Sequence, residues 1–537
     1  KGYTFHTNTD TEVLLKLYEE YEENCVDKLD GMFAFVIWDK RKNRMFIGRD
    51  RMGQKPIYYY NNDGLLIVSS EIKAITSYLD SKPNINPEAL NYYITLGYIP
   101  NPISIYNEIK KIKPAHYAIA KSSGLSFISY WNPLLHVNNA ENSYNNYNDC
   151  ENIVKDLLKK SIKKRLVSDV PIGVLLSGGI DSSALIAFLS QVSDSTIKTF
   201  SIGSHRSEFN ESESARIVSE KFKTDHEEFF VDIDVVKILS EVIEGFDEPF
   251  ADISALPTYY VCKLAGSKVK VVLSGDGGDE LFAGYPWYRS LRDSTYFSSE
   301  SEQILKLVSS LAYKFWSDGW RGKDRLYFLK SKSFSDKYSY SKNRFSNHSR
   351  NKYFKKDFLE FIGFDICTNN VRSFAEQAKE LDLVSMMQYA DLMTYLPDQL
   401  LVKVDRMSML HSLEVRSPFL DHKLIEHLLN MPSEFKLKGN DSKHILKNIL
   451  KPYLPKEIIK KPKKGFGIPM KDWLKNELYE YACDILLGES SRNRGYFNVK
   501  NVSDLLKSNR DKKLDSKVST HQIWTLLYLE SWFQRYA

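Results

Sequence analysis

The chain has 537 residues, of which 42% are hydrophobic, 13% aromatic and 27% charged. This length exceeds what one hydrophobic core normally supports and predicts two domains. No apolar run approaches the roughly 20 residues of a membrane helix, which argues against membrane insertion. The net charge of +5 is not gathered into one stretch and gives nucleic-acid binding little support. Five widely spaced cysteines argue against a disulfide framework and predict a cytoplasmic protein.

The first 70 residues predict an α+β domain. Thr9 to Glu12 precede an amphipathic stretch, which predicts a capped helix. Short aromatic and β-branched runs separated by turn signals follow this helix and predict strands. The runs are residues 32–38, 45–47, 57–60 and 65–68.

An asparagine-rich segment, residues 137–148, ends this pattern and predicts a domain boundary. Beyond it, a helix near residues 153–166 and a series of continuous apolar runs predict a parallel α/β sheet covered on both faces. Residues 294–356 predict peripheral helices and loops, and amphipathic helices dominate from Leu381 onward, without an internal repeat. The apolar runs are residues 173–176, 199–202, 229–231 and 269–273.

The first apolar run stops at Ser177, Gly178 and Gly179, and a helix then opens with Asp181 and Ser182. Glycines let backbone N–H groups approach phosphate oxygens, and a helix N-terminus adds unpaired donors. Two glycines alone would more simply indicate a capped turn, and the lysine of a Walker A loop is missing. A carboxylate in this loop would repel polyphosphate unless a divalent metal lay between them, which predicts Mg²⁺ bridging pyrophosphate.

The last apolar run ends in a second loop, residues 274–280, which holds Asp276, Asp279 and Glu280 among three glycines. Three crowded carboxylates would be a costly way to build a capped turn, so the loop predicts a functional site. Ligands of open α/β sheets bind at the carboxyl ends of the strands. We therefore expect both loops to face one crevice.

Together with four further segments, these loops resemble the glutamine-dependent asparagine synthetase family, in the family's order and over nearly the whole chain. The resemblance implies a partial Ntn-hydrolase (class II glutamine amidotransferase) αββα domain at residues 1–135. An ATP pyrophosphatase (adenine nucleotide alpha hydrolase-like) domain would follow at residues 150–537, with a parallel α/β sheet and a helical C-terminal part. The further segments are residues 247–252, 400–406, 414–421 and 462–469.

The resemblance also implies roles for particular residues, with ATP and Mg²⁺ as cofactors. Residues 177–182 would hold pyrophosphate, Leu176 and Ile202 would flank the adenine or ribose, and Ser274 and Gly275 would contact the nucleotide. Asp181 and Asp279 would bind Mg²⁺.

Two catalytic positions follow from the same resemblance. Asp276 stands where the family often has Glu, in the loop that positions the carboxylate and admits ammonia. Lys463 would stabilise the negative charge that develops at the α-phosphorus, as Arg and Lys do in other phosphoryl transfers. By composition alone, the lysines at 460, 461, 463 and 464 would indicate a solvated surface run.

Residues 29–39 and 49–56 resemble the later part of the family's glutaminase domain, and Asp10 matches the residue that binds the amino group of glutamine. Alternatively, Asp10 caps the helix that follows it. This chemistry requires an N-terminal Cys whose free α-amino group serves as base. The sequence begins with Lys1, and the internal Cys25 is expected to be a buried structural thiol. We therefore expect a fragment of a glutamine-dependent enzyme, or a form limited to free ammonia.

The implied reaction is ATP-dependent synthesis of asparagine from aspartate through β-aspartyl-AMP. In the complete enzyme, ammonia would arrive from glutamine through an internal passage, which protects it from protonation in water. The expected partners are small molecules, namely aspartate, ATP, and glutamine or ammonia. A homodimer is one assembly that is compatible with this function.

Three alternatives stay open. The acceptor can be another carboxylate, such as a uronic acid of a surface polysaccharide. A tRNA-modifying pyrophosphatase would call for a basic RNA-binding domain or catalytic cysteines, and the sequence shows neither. A non-catalytic interaction protein is the third alternative, and the presence of Asp181, Asp279 and Lys463 weighs against it.

Overall fold

The computed structural model describes most of the chain. The predicted boundary segment lies largely outside the described residues, as do much of residues 294–356 and Lys463. The described residues are 2–137, 146–193, 195–203, 212–230, 234–293, 308–309, 311–312, 331, 333–364, 368–462, 469–511 and 517–536.

The N-terminal region contains two antiparallel sheets, with strand orders β1-β2-β6-β7 and β4-β3-β5. The four strands predicted from residues 32–68 are β1 to β4. The strands are β1 (Ala34–Asp39), β2 (Arg44–Arg49), β3 (Tyr58–Asn62), β4 (Leu65–Ser69), β5 (Ile109–Lys111), β6 (His116–Lys121) and β7 (Gly124–Ser129). The helices are Asp10–Tyr21, Cys25–Lys28, Ile72–Thr76 and Pro87–Leu96, with 3₁₀ turns at Glu22–Asn24 and Pro133–His136.

The side chains of β2 and β3 show that this region is arranged in layers. In β2, Phe46 packs with Tyr18 of the first helix, whereas Ile47 packs with Tyr59 of the other sheet. In β3, Tyr58 points the opposite way from Tyr59 and joins the core that contains Ile72. Successive side chains of a strand face opposite sides, so each sheet contacts a helical layer on one face and the other sheet on its second face. This is the αββα arrangement expected from the sequence.

The second region is built on a five-stranded parallel sheet of order β10-β9-β8-β11-β12. Val174 of β8 packs against one helical layer and Leu175 against another, so both faces are covered, as predicted. The short strand β12 was not predicted, and β10 begins earlier than its apolar run. The strands are β8 (Ile172–Leu175), β9 (Lys198–Gly203), β10 (Asp225–Phe230), β11 (Val271–Leu273) and β12 (Glu414–Arg416), with a hairpin of β13 (Leu437–Lys438) and β14 (Asp441–Ser442).

Helices make up most of the remainder, which confirms the predicted helical C-terminal part. None of the helices in the described ranges is long and apolar enough to cross a membrane. The helices are Tyr147–Arg165, Ile180–Val192, Ser212–Phe222, Val235–Phe246, Ala255–Gly266, Gly278–Leu281, Pro286–Asp293, Phe334–Ser341, Asn347–Tyr353, Lys356–Ile362, Asn369–Gln377, Leu383–Met393, Leu401–Met409, His422–Asn430, Ser433–Lys436, His444–Leu450, Lys456–Lys460, Met470–Trp473, Tyr479–Leu487, Glu489–Arg494, Val499–Arg510 and Lys517–Tyr536, with a π turn at Leu396–Leu400 and a 3₁₀ turn at Pro418–Leu420.

One large hydrophobic core joins the two regions. The hydroxyl of Tyr93 donates to the carbonyl of Thr525 at 2.8 Å, and the indole of Trp532 donates to the carbonyl of Asp247 at 3.0 Å. The C-terminal helix therefore contacts the N-terminal region directly. The division into domains at residues 1–135 and 150–537 stays a prediction.

The connections of the parallel sheet create a crevice. The chain runs from β8 to β9 and β10 on one side, and β11 and β12 lie on the other side of β8. The direction of winding thus reverses between β8 and β11, and the loops that follow these two strands lie side by side. Open α/β sheets bind ligands at such a switch point.

Candidate active site

The loop after β8 has the geometry of an anion site. Gly178 has a φ of +66°, and a Cβ there would lie 2.5 Å from main-chain carbon of Ser214, so only glycine fits without strain. The hydroxyls of Ser177 and Ser182 lie 3.1 Å apart. No side chain caps the helix that begins after Gly179, which leaves its N-terminal amides directed toward the crevice.

The loop after β11 lies directly against this helix. A Cβ on Gly275 would lie 2.9 Å from Cβ of Asp181, and one on Gly278 would lie 2.6 Å from Cγ of the same aspartate. Glycine at both positions permits the close approach of the two loops. The sequence-based prediction that the loops face one crevice is confirmed.

Asp276 and Ser274 are held together in the second loop. The hydroxyl of Ser274 lies 2.7 Å from Oδ2 of Asp276 and 2.9 Å from the hydroxyl of Ser417. Ser417 directly follows β12, so the edge strand supports this loop. Asp276 is partly exposed to the crevice, whereas Ser274 is buried.

Asp181 and Asp279 converge on one cation, the ammonium of Lys443. Nζ of Lys443 lies 2.5 Å from Oδ2 of Asp181 and 2.6 Å from Oδ1 of Asp279. The side chain of Lys443 is only 5% exposed. Sequence reasoning missed this lysine, because it precedes an ordinary helix and is 262 residues from Asp181.

The carboxylate pair fits Mg²⁺. In the described part of the chain, no group of three or more His, Cys, Asp or Glu side chains forms a metal site of its own. Mg²⁺ is usually held by one or two carboxylates together with substrate phosphates. Two aspartates that reach one point beside a phosphate loop match that pattern.

Glu280 follows Asp279 but points into the protein. It is 1% exposed and accepts a hydrogen bond of 2.7 Å from the hydroxyl of Tyr285. Burial, with the neighbouring charge of Asp279 adding to it, raises the pKa of Glu280 to about 8. Of the three carboxylates of this loop, Glu280 is therefore the one that is held in its neutral form.

Leu176 and Ile202 occupy different environments near the loop. The Leu176 side chain is 1% exposed and belongs to the core beneath the loop, so only its main chain is available to a ligand. Ile202 is partly buried at the end of β9, on the other face of the sheet, beside Phe229. Their predicted contacts with the nucleotide stay a prediction.

The predicted catalytic Lys463 lies outside the described residues, and its role stays a prediction. Lys461, in the same lysine cluster, is described. Its Nζ donates to the hydroxyl of Ser214 at 2.8 Å, and Ser214 lies against Gly178 of the phosphate loop. The ammonium of Lys461 therefore lies close to the crevice.

In the N-terminal region, Asp10 is exposed at the first turn of its helix. The cap of this helix is Thr9, whose side chain accepts from the amide of Glu12, so the alternative role of Asp10 as the cap is wrong. Its role in glutamine binding stays a prediction. Cys25 is fully buried, as expected, and burial raises the pKa of its thiol to about 12, which fits a structural thiol.

A polar cavity lies between the two regions. Arg49, Asn101 and Lys111 of the N-terminal region line one side, and Asp398 and Asp405 line the other. Burial raises the pKa of Asp398 to about 6, although Asn101 donates hydrogen bonds to its carboxylate.

Comparison with known proteins identifies the family. The sequence profile described as asparagine synthase matches residues 153–534, and the profile described as a glutamine amidotransferase domain matches residues 1–131. The chain belongs to the asparagine synthase family. The family uses ATP, and this member is accordingly a carbon–nitrogen ligase of the glutamine-hydrolysing asparagine synthetase class.

Relatives of this family member align with most of its length. Asparagine synthetase [glutamine-hydrolyzing] 1 of Bacillus subtilis is 30% identical over 99% of this chain and 82% of its own length. A putative asparagine synthetase [glutamine-hydrolyzing] 2 of Methanocaldococcus jannaschii is 35% identical over 75% of this chain and 77% of its own length. A more distant relative, amidase chry2 of Gibberella zeae, is 25% identical over 94% of this chain and 79% of its own length.

Proposed function

We propose that this chain synthesises asparagine from aspartate, ATP and ammonia through a β-aspartyl adenylate. The observation that carries the proposal is the convergence of Asp181 and Asp279 beside the phosphate loop, where the parallel sheet reverses its winding. The names of the relatives support aspartate as the acceptor.

In this proposal, Ser177, Ser182 and the uncapped helix N-terminus bind the β- and γ-phosphates. Asp181 and Asp279 would hold Mg²⁺, which would supply positive charge to offset the charge of the phosphate chain. The main chain of Leu176, together with Ile202, Ser274 and Gly275, contacts the nucleoside.

The reaction then has two steps. A carboxylate oxygen of aspartate attacks the α-phosphorus, and the bond to pyrophosphate breaks. Lys463 stabilises the negative charge of this transition state. Ammonia next attacks the acyl carbon, AMP leaves, and the nitrogen loses a proton. Asp276, oriented by the hydroxyl of Ser274, positions the reacting groups.

The glutamine-dependent reaction also needs a nucleophile for glutamine hydrolysis, which neither Lys1 nor the buried Cys25 provides. The N-terminal region contributes the other parts of that reaction. Asp10 binds the amino group of glutamine, and the cavity lined by Arg49, Asn101, Lys111, Asp398 and Asp405 lies on the path that ammonia takes between the two sites. A closed path keeps ammonia from protonation and loss.

Product analysis tests the proposal. With ATP, Mg²⁺, ammonia and aspartate, we expect equal amounts of asparagine, AMP and pyrophosphate. Asp181→Ala should lower all three by about a thousandfold, because a preorganised charge in the site is lost. The control is Asp63→Asn, at an exposed turn with a φ of +50° that Asn also adopts. Unchanged AMP production in Asp181→Ala would show that the site is wrongly assigned.

A different acceptor is the second candidate, because relatives named as amidases align with almost the whole chain. Exchange of labelled pyrophosphate into ATP reports the first step alone. We expect exchange with aspartate and none with uronic acids. Exchange that depends on a uronic acid and not on aspartate would transfer the proposal to that carboxylate.

A further inference from the structure

Lys443 is held in an unusual backbone conformation. Its φ is +54°, in the left-handed region, although it is neither glycine nor asparagine. Its amide donates to the carbonyl of Phe282 at 3.1 Å, which ties it to the end of the second carboxylate loop. Strained residues of this kind persist where the surrounding structure fixes them, and they are concentrated at ligand sites.

The residues around Lys443 leave space for its ammonium between Asp181 and Asp279. A Cβ on Gly284 would lie 2.2 Å from Cε of Lys443 and 2.1 Å from Oδ1 of Asp279. The absence of a side chain at Gly284 therefore makes room for the lysine and the aspartate together. Nζ lies between the carboxylates of two loops that are far apart in sequence.

That position is also the one that a bridging metal ion would take. Mg–O contacts are about 2.1 Å, so the two carboxylates need to close by only about 0.5 Å around Mg²⁺. An ammonium and a divalent cation cannot occupy the same point, and their charges repel each other. Binding of the metal therefore requires the four-carbon stem of Lys443 to move Nζ elsewhere. The phosphates of the nucleotide offer the nearest new negative charge.

We propose that Lys443 is an internal counter-ion, which occupies the metal position in the nucleotide-free protein and moves to the phosphate chain when Mg-ATP binds. The inference rests on the proposed function in that the metal and the nucleotide share this site. It assigns to Lys443 a positioning role that makes the nucleotide and the metal bind together. Without phosphates to receive the ammonium, a divalent cation alone binds weakly.

The test measures Mn²⁺ binding to the metal-free chain without nucleotide, by the electron paramagnetic resonance signal of free Mn²⁺. Lys443→Met removes the charge and keeps the stem. We expect it to bind Mn²⁺ at least about tenfold more tightly than the wild type, because one competing positive charge is gone. The matched control is Lys447→Met, in the helix that follows Lys443, which breaks a pair with Asp441 and should leave Mn²⁺ binding unchanged.

If Lys443→Met does not fold without metal, Lys443→Gln is measured in its place. Folding of Lys443→Met that depends on added Mn²⁺ also supports the proposal. Equal Mn²⁺ affinity in the wild type and in the folded variants would overturn the proposal. Tight binding of Mn²⁺ to the wild type in the absence of nucleotide would also overturn it. Product analysis of the wild type separates the two proposals. If Lys443→Met binds Mn²⁺ more tightly but the wild type forms no AMP, the counter-ion role of Lys443 is supported and the proposed reaction is wrong.

Discussion

Lys342, which is partly buried, and Lys443, which is buried, both pair with carboxylates, and their surroundings differ. Nζ of Lys342 lies 2.7 Å from Oδ1 of Asp391, whose other oxygen accepts from the hydroxyl of Tyr288 at 2.7 Å and the indole of Trp287 at 3.2 Å. Three aromatic rings lie 4.3 to 5.2 Å from the ammonium. They belong to Trp287, Tyr338 and Tyr395.

At Lys443, by contrast, one ammonium serves two carboxylates. Both aspartates come from loops at the carboxyl ends of parallel strands, and glycines surround them. The pair at Lys342 has balanced charge and lies entirely within the helical region. The Lys443 centre instead joins two loops at the edge of the parallel sheet.

The comparison teaches how a structural ion pair differs from a ligand site. A buried pair whose hydrogen-bonding groups are satisfied fixes the fold, because removing either partner leaves an uncompensated charge. Carboxylates at the carboxyl ends of parallel strands, by contrast, lie where open α/β sheets bind ligands. Burial of the carboxylates does not distinguish the two centres, since Asp391 and Asp279 are both buried.

The largest expected effect follows from breaking the ion pair between Lys342 and Asp391. Lys342→Met leaves Asp391 buried without its counter-ion and should lower the free energy of unfolding by about 3–5 kcal/mol. Urea denaturation measures the change, and pyrophosphate exchange per folded molecule should stay near the wild-type rate. A loss of exchange in the folded variant would show that this pair also belongs to the active site.

Gly284→Ala tests the other centre. The added methyl group would displace the side chains of Asp279 and Lys443, both of which can rotate away. We therefore expect a small change in stability but a fall of about a hundredfold in pyrophosphate exchange, because displacement of about 1 Å has that effect at a reaction centre. Steady-state kinetics with aspartate check this. A variant with full activity would contradict the close packing of the metal position.

Glu280 is linked to both centres, because burial raises its pKa and the charges of Asp279 and Asp391 raise it further. The folded pKa of about 8 lies above the ordinary glutamate value of 4.5, so folding favours the protonated form. The free energy of unfolding should therefore fall as pH rises from about 4.5 to 8, by at most ~1.4 kcal/mol per unit. Glu280→Gln should remove this slope in urea denaturation at several pH values. An unchanged slope would mean that Glu280 is ionised when folded.

The smallest effect is expected at Trp287, one of the three aromatic residues around the ammonium of Lys342. Trp287→Phe removes the indole donor to Asp391 and weakens the contact with Lys342, for a loss of about 1 kcal/mol. The control is Trp38→Phe, because Trp38 is 53% exposed and should change stability by less than ~0.5 kcal/mol. Equal losses in the two variants would argue against a specific role of the indole.

Much of the architecture follows from local patterns. The short aromatic and β-branched runs in residues 32–68 predicted four strands, and the continuous apolar runs predicted the parallel sheet, because such runs between turn signals mark buried strands. The strand β12 escaped prediction because three residues are too few to show a period. The start of β10 was placed late, since Asp225 to Glu228 are polar and only their pairing with β9 makes them a strand.

The sequence by itself determined the two glycine-rich loops, the carboxylates Asp181, Asp276 and Asp279, and the order of strands and helices that places both loops at strand ends. Only the tertiary structure decided that Lys443 joins Asp181 and Asp279, that Glu280 turns inward, and that Lys342 pairs with Asp391. The physical reason is that these contacts depend on which distant segments pack together. No local spacing encodes a contact between residues 262 positions apart.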